Sequence, residues 1–134
     1  MTLKRGCLLG CLGVLAIPFL LVVFASGAWL SPFPTQQVAF EHNIWLPNST
    51  KVVSRENSGI WLPDAHAHAV VSIAEKDAHE FVKRLKQHPE PKLTGNWSVP
   101  TGGEFCGYKG YSFAVRLEPA RQGRIQVEIR TTTD

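Results

Sequence analysis

At 134 residues the chain has room for one domain, and its first quarter is too apolar for an ordinary soluble core. The 14 Lys and Arg outnumber the 11 Asp and Glu, but two of the basic residues, Lys4 and Arg5, precede the apolar stretch. From Gln36 onward the balance is 12 basic to 11 acidic. That near-neutral charge, with no basic stripe in its linear order, argues against a nucleic-acid binder.

No charged side chain occurs between Gly6 and Phe40, and Cys7 to Leu30 is almost wholly Leu, Val, Ile, Phe, Ala, Gly and Cys. A helix rises about 1.5 Å per residue, so roughly 20 such residues cross a 30 Å hydrocarbon core. The segment 1–30 is therefore read as an N-terminal transmembrane anchor. Pro18 is tolerated in lipid if neighbouring groups satisfy the carbonyl it frees. Lys4 and Arg5 flank one end, while the first charge beyond the other is Glu41, which keeps the N-terminus cytoplasmic and the rest extracytoplasmic. Trp29 falls where an indole suits the headgroup level. A cleaved signal peptide is the competing reading, since Ala25-Ser26-Gly27 offers a small-residue site whose cleavage after Gly27 would secrete the domain. The run from Leu8 to Phe24 exceeds the usual 7–15 residues of a signal-peptide core, which favours the permanent anchor. Leu8-Leu9-Gly10-Cys11 resembles a lipoprotein cleavage box, but almost no apolar sequence precedes it.

Cys7 and Cys11 lie inside the apolar segment as small hydrophobes, so Cys106 is the one cysteine of the exported part. It cannot form an intramolecular bridge there, and a buried inert thiol is the ordinary fate of such a residue.

Residues 31–36, Ser31-Pro32-Phe33-Pro34-Thr35-Gln36, read as a Pro-rich linker, and 37–134 as the extracytoplasmic domain. A segment ending in Ile44-Trp45-Leu46-Pro47 leads to a strand from Thr50 to Glu56. Asn57-Ser58-Gly59 then turns the chain into a second strand through Ala65–Ile73. Period-2 geometry buries Ala65, Ala67, Ala69, Val71 and Ile73. Ala78, Phe81, Val82 and Leu85 recur at helical spacing, with Asp77 and Glu80 in the arrangement of a capping box. Acidic residues crowd the start of this helix and basic ones its end, complementing its dipole, and Pro89 stops it.

The glycines from Gly95 to Gly110 predict a long surface connection. Beyond it Tyr111, Phe113, Val115 and Leu117, then Ile125, Val127 and Ile129, alternate with polar residues as two half-buried strands. Pro119 to Gly123 is a hairpin loop between them. The expected fold is α+β: the transmembrane helix, then a small antiparallel sheet in the order strand-strand-helix-strand-strand, with one helix packed on one face.

Four sets of residues are weighed for chemistry. His66 and His68 share a strand face, and His79 or His88 would have to join them for a zinc or copper site; alternation alone explains the pair as solvent-facing. Cys106 lies in a small-residue loop where a thiolate could meet a histidine base, although no linear motif ties it to one. That loop matches neither Gly-x-Gly-x-x-Gly nor the phosphate-loop pattern. Trp45, Trp61, Trp97 and Tyr108 could form an aromatic platform for a partner, or simply close the ends of a small core. Asn48-Ser49-Thr50 and Asn96-Trp97-Ser98 fit the N-glycosylation acceptor pattern.

With no acid–base pair at interpretable spacing and no cofactor motif, the expectation is a non-enzymatic, membrane-tethered domain. It would bind a protein partner as an accessory, inhibitor or immunity-type factor. A metal-binding envelope domain using His66 and His68 is the alternative.

Overall fold

Alternation of apolar and polar side chains organises the central strands of one six-stranded antiparallel sheet. The structure, a computed structural model, describes residues 14, 16–25, 32–57, 65–88, 94–108 and 111–133. The chain divides into two units, Met1–Pro32 and Phe33–Asp134.

In the first unit, residues 16–25 are helical. Ile17, Phe19, Leu20, Leu21, Val22 and Phe24 are all strongly exposed. Among the described residues no helix is long and apolar enough to cross a membrane. Of the segment read as an anchor, residues 1–13, 15 and 26–30 lie outside the described residues, among them Trp29 and the Ser26-Gly27 part of the candidate cleavage site.

The second unit contains helix α1 (Pro34–His42), strands β1 (Lys51–Asn57) and β2 (His66–Ala74), and helix α2 (Ala78–Lys86). Strands β3 (Thr94–Ser98), β4 (Gly102–Tyr108), β5 (Tyr111–Leu117) and β6 (Arg124–Thr133) follow. The sheet order is β1-β2-β6-β5-β4-β3, and every neighbouring pair is antiparallel. The β1–β2 hairpin, α2 and the β5–β6 hairpin are the elements the sequence predicts.

The core lies on one face of this sheet. Val71 and Ile73, Phe113 and Val115, and Ile125 and Val127 contribute from three adjacent strands. The helical stripe of Ala78, Phe81, Val82 and Leu85 covers them, and all four are buried as the periodicity predicts. The five alternate residues from Ala65 to Ile73 are likewise buried. Fully burying a Phe or Ile side chain contributes about 1.5–3 kcal/mol.

The sheet has six strands where the alternation predicted four. The glycine-rich connection is not a loop: it forms the β3–β4 hairpin, with Asn96 opposite Glu104 and Trp97 opposite Gly103. Strand propensity misses it because glycine adds no side-chain pattern. The glycines serve close approach instead. A Cβ on Gly103 would stand 2.1 Å from the carbonyl oxygen of Asn96, and one on Gly95 2.1 Å from that of Glu104.

The predicted linker also differs, because Pro34, Thr35 and Gln36 open α1. Pro34 sits at the first helical turn, where its missing N–H costs nothing, and Asn43 ends the helix in the left-handed region at φ 50°. α1 has little amphipathic signal, which is why periodicity does not find it. It is held through Val38, Gln37, Glu41 and His42, all buried. Glu41 takes a bidentate pair from Arg55 of β1, with Arg55 Nε 2.8 Å from Oε2. His42 Nδ1 lies 2.8 Å from Thr131 Oγ1.

The capping box is a further correction. A 3-10 turn, Glu75–Asp77, precedes α2, and Asp77 makes no side-chain cap. Its carboxylate instead accepts a 2.5 Å hydrogen bond from Ser49, tying the approach to β1 to the start of α2. α2 ends at Lys86 with Gln87 as its cap, before Pro89, which lies outside the described residues.

Candidate binding face of the sheet

Since the helices cover one side of the sheet, the residues that alternate with the core form an uncovered polar face. Strand register sets them in rows. Cys106, Ala114, Arg130 and His68 are successive partners across β4, β5, β6 and β2. Glu104, Arg116 and Glu128 form the next row. Charges of opposite sign thus stand opposite each other on neighbouring strands, the arrangement that favours cross-strand pairing.

The centre of the face is a charged knot. Glu128 Oε1 accepts from Arg130 Nε at 3.0 Å and Nη2 at 2.6 Å, and lies 2.9 Å from His68 Nε2. These contacts, Arg130 first and His68 after it, hold the Glu128 carboxyl below the usual range. Beside it, Ala114 is too small to fill its position and leaves a depression of about 110 Å³ between Glu104, Arg116, Glu128 and Arg130. Two acids and two arginines around one alanine favour no strongly charged ligand. They suit a polar surface that brings its own donors and acceptors.

Each candidate from the sequence has a place here or on the covered side. His66 and His68 are on the open face, as alternation predicts, with His66 exposed and His68 half-buried. His79 and His88 are on the other side of the sheet. His79 meets the edge of Trp97 at 6.2 Å, and His88 stacks on Phe113 at 5.8 Å with its Nε2 2.5 Å from Asn43 O. The four histidines do not converge, and among the described residues no group of three or more His, Cys, Asp or Glu could hold a metal ion.

Cys106 is exposed on β4, in a strand rather than the expected loop. Its thiol donates to Glu104 Oε1 at 3.4 Å. Partial burial and that carboxylate push the thiol up from its ordinary pKa, opposite to what a nucleophile needs. Three strand spacings separate it from His68, about 14 Å.

The aromatic residues form no platform among the described residues. Trp97 is 8% exposed and belongs to the core, whereas Trp45 lies beneath the Arg84 guanidinium, 4.3 Å from its ring centre. Trp61 and the side chain of Tyr108 lie outside what the structure describes. Asn48 and Asn96 are both exposed.

The rows themselves were not singled out in the sequence, although the alternation of β5 and β6 contains them. What linear order lacks is the lateral register that brings Glu104 to Arg116 and Arg116 to Glu128. The fold and this face define a class: an α+β domain with one covered and one open sheet face. In comparisons with known proteins, no family model, curated protein or solved structure matched the chain.

Proposed function

We propose that the protein is a membrane-tethered, non-catalytic domain that uses its open sheet face to bind a protein partner outside the cytoplasm. The observation that carries this reading is the uncovered face itself, with Glu104, Arg116, Glu128 and Arg130 in fixed rows around a shallow depression. Rows of alternating charge on a rigid sheet favour specificity by opposing any partner that places like charges opposite them. The tether rests on the uncharged apolar segment after Lys4 and Arg5, and on the exposure of the apolar side chains along residues 16–25.

Support for a non-catalytic role comes from Cys106, whose thiol is raised in pKa and distant from His68. Metal binding by His66 and His68 is the other reading of this face. Against it stands the engagement of His68 with Glu128.

A photoreactive side chain at Ser112 or Arg116, on the open face, should yield one discrete adduct in intact cells, and the same group at Lys83 on α2 should not. No adduct from either open-face position would overturn the proposal.

A further inference from the structure

We propose that α1 lies on the bilayer surface with Phe33 and Phe40 inserted at headgroup level, so that this helix fixes how the sheet domain stands on the membrane. The inference rests on the membrane tether proposed above.

Its first support is the mixed polarity of the helix, which buries polar side chains and leaves large apolar ones outside. A helix on a water-soluble domain ordinarily turns its apolar residues inward. Here Val38 does turn inward, but Gln37, Glu41 and His42 are buried with it, while Phe40 and the N-cap residue Phe33 are 44% and 54% exposed. At about 100° per residue, positions 33 and 40 fall two turns apart on one side, with Gln36 between them. The inward polar groups are satisfied by the domain: Glu41 by Arg55 and His42 by Thr131. The apolar pair has been left on the outside.

The second support is chain length. Leu30 closes the apolar run and Phe33 is the third residue after it. Three residues reach at most about 10 Å, comparable to the depth at which an interfacial helix settles. A spanning segment that ends at Leu30 would therefore leave the start of α1 within reach of the headgroup region.

The third is charge. Phe33, Pro34, Gln36 and Phe40 are the exposed residues of this stretch, and none is ionisable. The first charged residue after Arg5 is Glu41, which points into the protein. Insertion of this side desolvates no charge.

The test uses the full-length chain with Cys7, Cys11 and Cys106 replaced by serine, in phosphatidylcholine vesicles washed with alkaline carbonate. A nitroxide is placed at Q36C, which keeps both phenylalanines, or at K83C on α2 as the aqueous reference. Collisions with a water-soluble nickel chelate should be lost at position 36, retained at 83, and restored at 36 by F33S with F40S. Retention of the chain after the wash with chelate access at 36 equal to that at 83 would overturn insertion and leave the tether standing. Release of the chain by carbonate would overturn both.

Discussion

His42 shows how one buried side chain makes stability depend on pH. Its ring is 3% exposed, and burial lowers its pKa from 6.5 to about 4, against the opposing pull of Glu41 and with help from His68 and Arg55. Nδ1 faces Thr131, while Nε2 has no hydrogen-bond partner among the described residues. The folded protein therefore keeps the ring neutral, and the unfolded chain takes up a proton as pH falls below 6.5. Stability is full above that value and declines as pH drops toward 4. The slope approaches one proton, and the loss is about 2–3 kcal/mol between pH 7.5 and 4.5. Urea unfolding of the detergent-solubilised chain at several pH values measures it. In H42Q the slope over this window should shrink by close to one proton, and an unchanged slope would mean the imidazole is not buried neutral.

At the scale of elements, legibility followed side-chain pattern. β2, α2, β5 and β6 could be read because their apolar residues recur with period 2 or 3.6, and among the described side chains, such as Phe113, Val115 and Leu117 of β5, they are buried where the period put them. α1 and the β3–β4 hairpin could not, for opposite reasons. α1 buries Glu41 and His42 through tertiary partners on β1 and β6 that no local window contains. The hairpin is built from glycines whose function is backbone proximity, and proximity leaves no periodic trace. The open face fell between these cases: its residues were visible in the alternation of β5 and β6, but their neighbours were not. The hairpin makes a sharp expectation. Gly103→Ala forces a methyl group against the Asn96 carbonyl and within 2.8 Å of Trp97 Cα, so backbone must move. Gly123→Ala meets nothing within 4 Å and is penalised only by its φ of +73°. The second should cost roughly 1–2 kcal/mol, the penalty of a left-handed residue. The first should cost more and should expose Trp97, read as a red shift in tryptophan emission together with faster amide exchange confined to β3 and β4. Equal costs for the two variants would mean that the hairpin yields easily.

For the whole molecule, the sheet divides the domain into a side that is finished and a side that is not. The helical side has its core of Phe81, Phe105 and Phe113 closed from solvent, while the other side pairs its charges among themselves and stays open. Under the proposed function, the partner must lie on the same side of the membrane as the domain. The two acceptor sequons make the side measurable without knowing the partner. Asn48 precedes β1 and Asn96 lies on the outermost strand β3, both exposed, so neither side chain is committed to the core. Glycan transfer occurs only on the lumenal side of the endoplasmic reticulum, which makes it a reporter of topology whatever cell the chain comes from. Translated in the presence of microsomes, the chain should gain endoglycosidase-sensitive mass that falls stepwise in N48Q and vanishes in N48Q with N96Q. An unmodified, protease-accessible product would place the domain on the cytoplasmic side, reverse the orientation inferred from Lys4 and Arg5, and move the search for a partner to the cytoplasm.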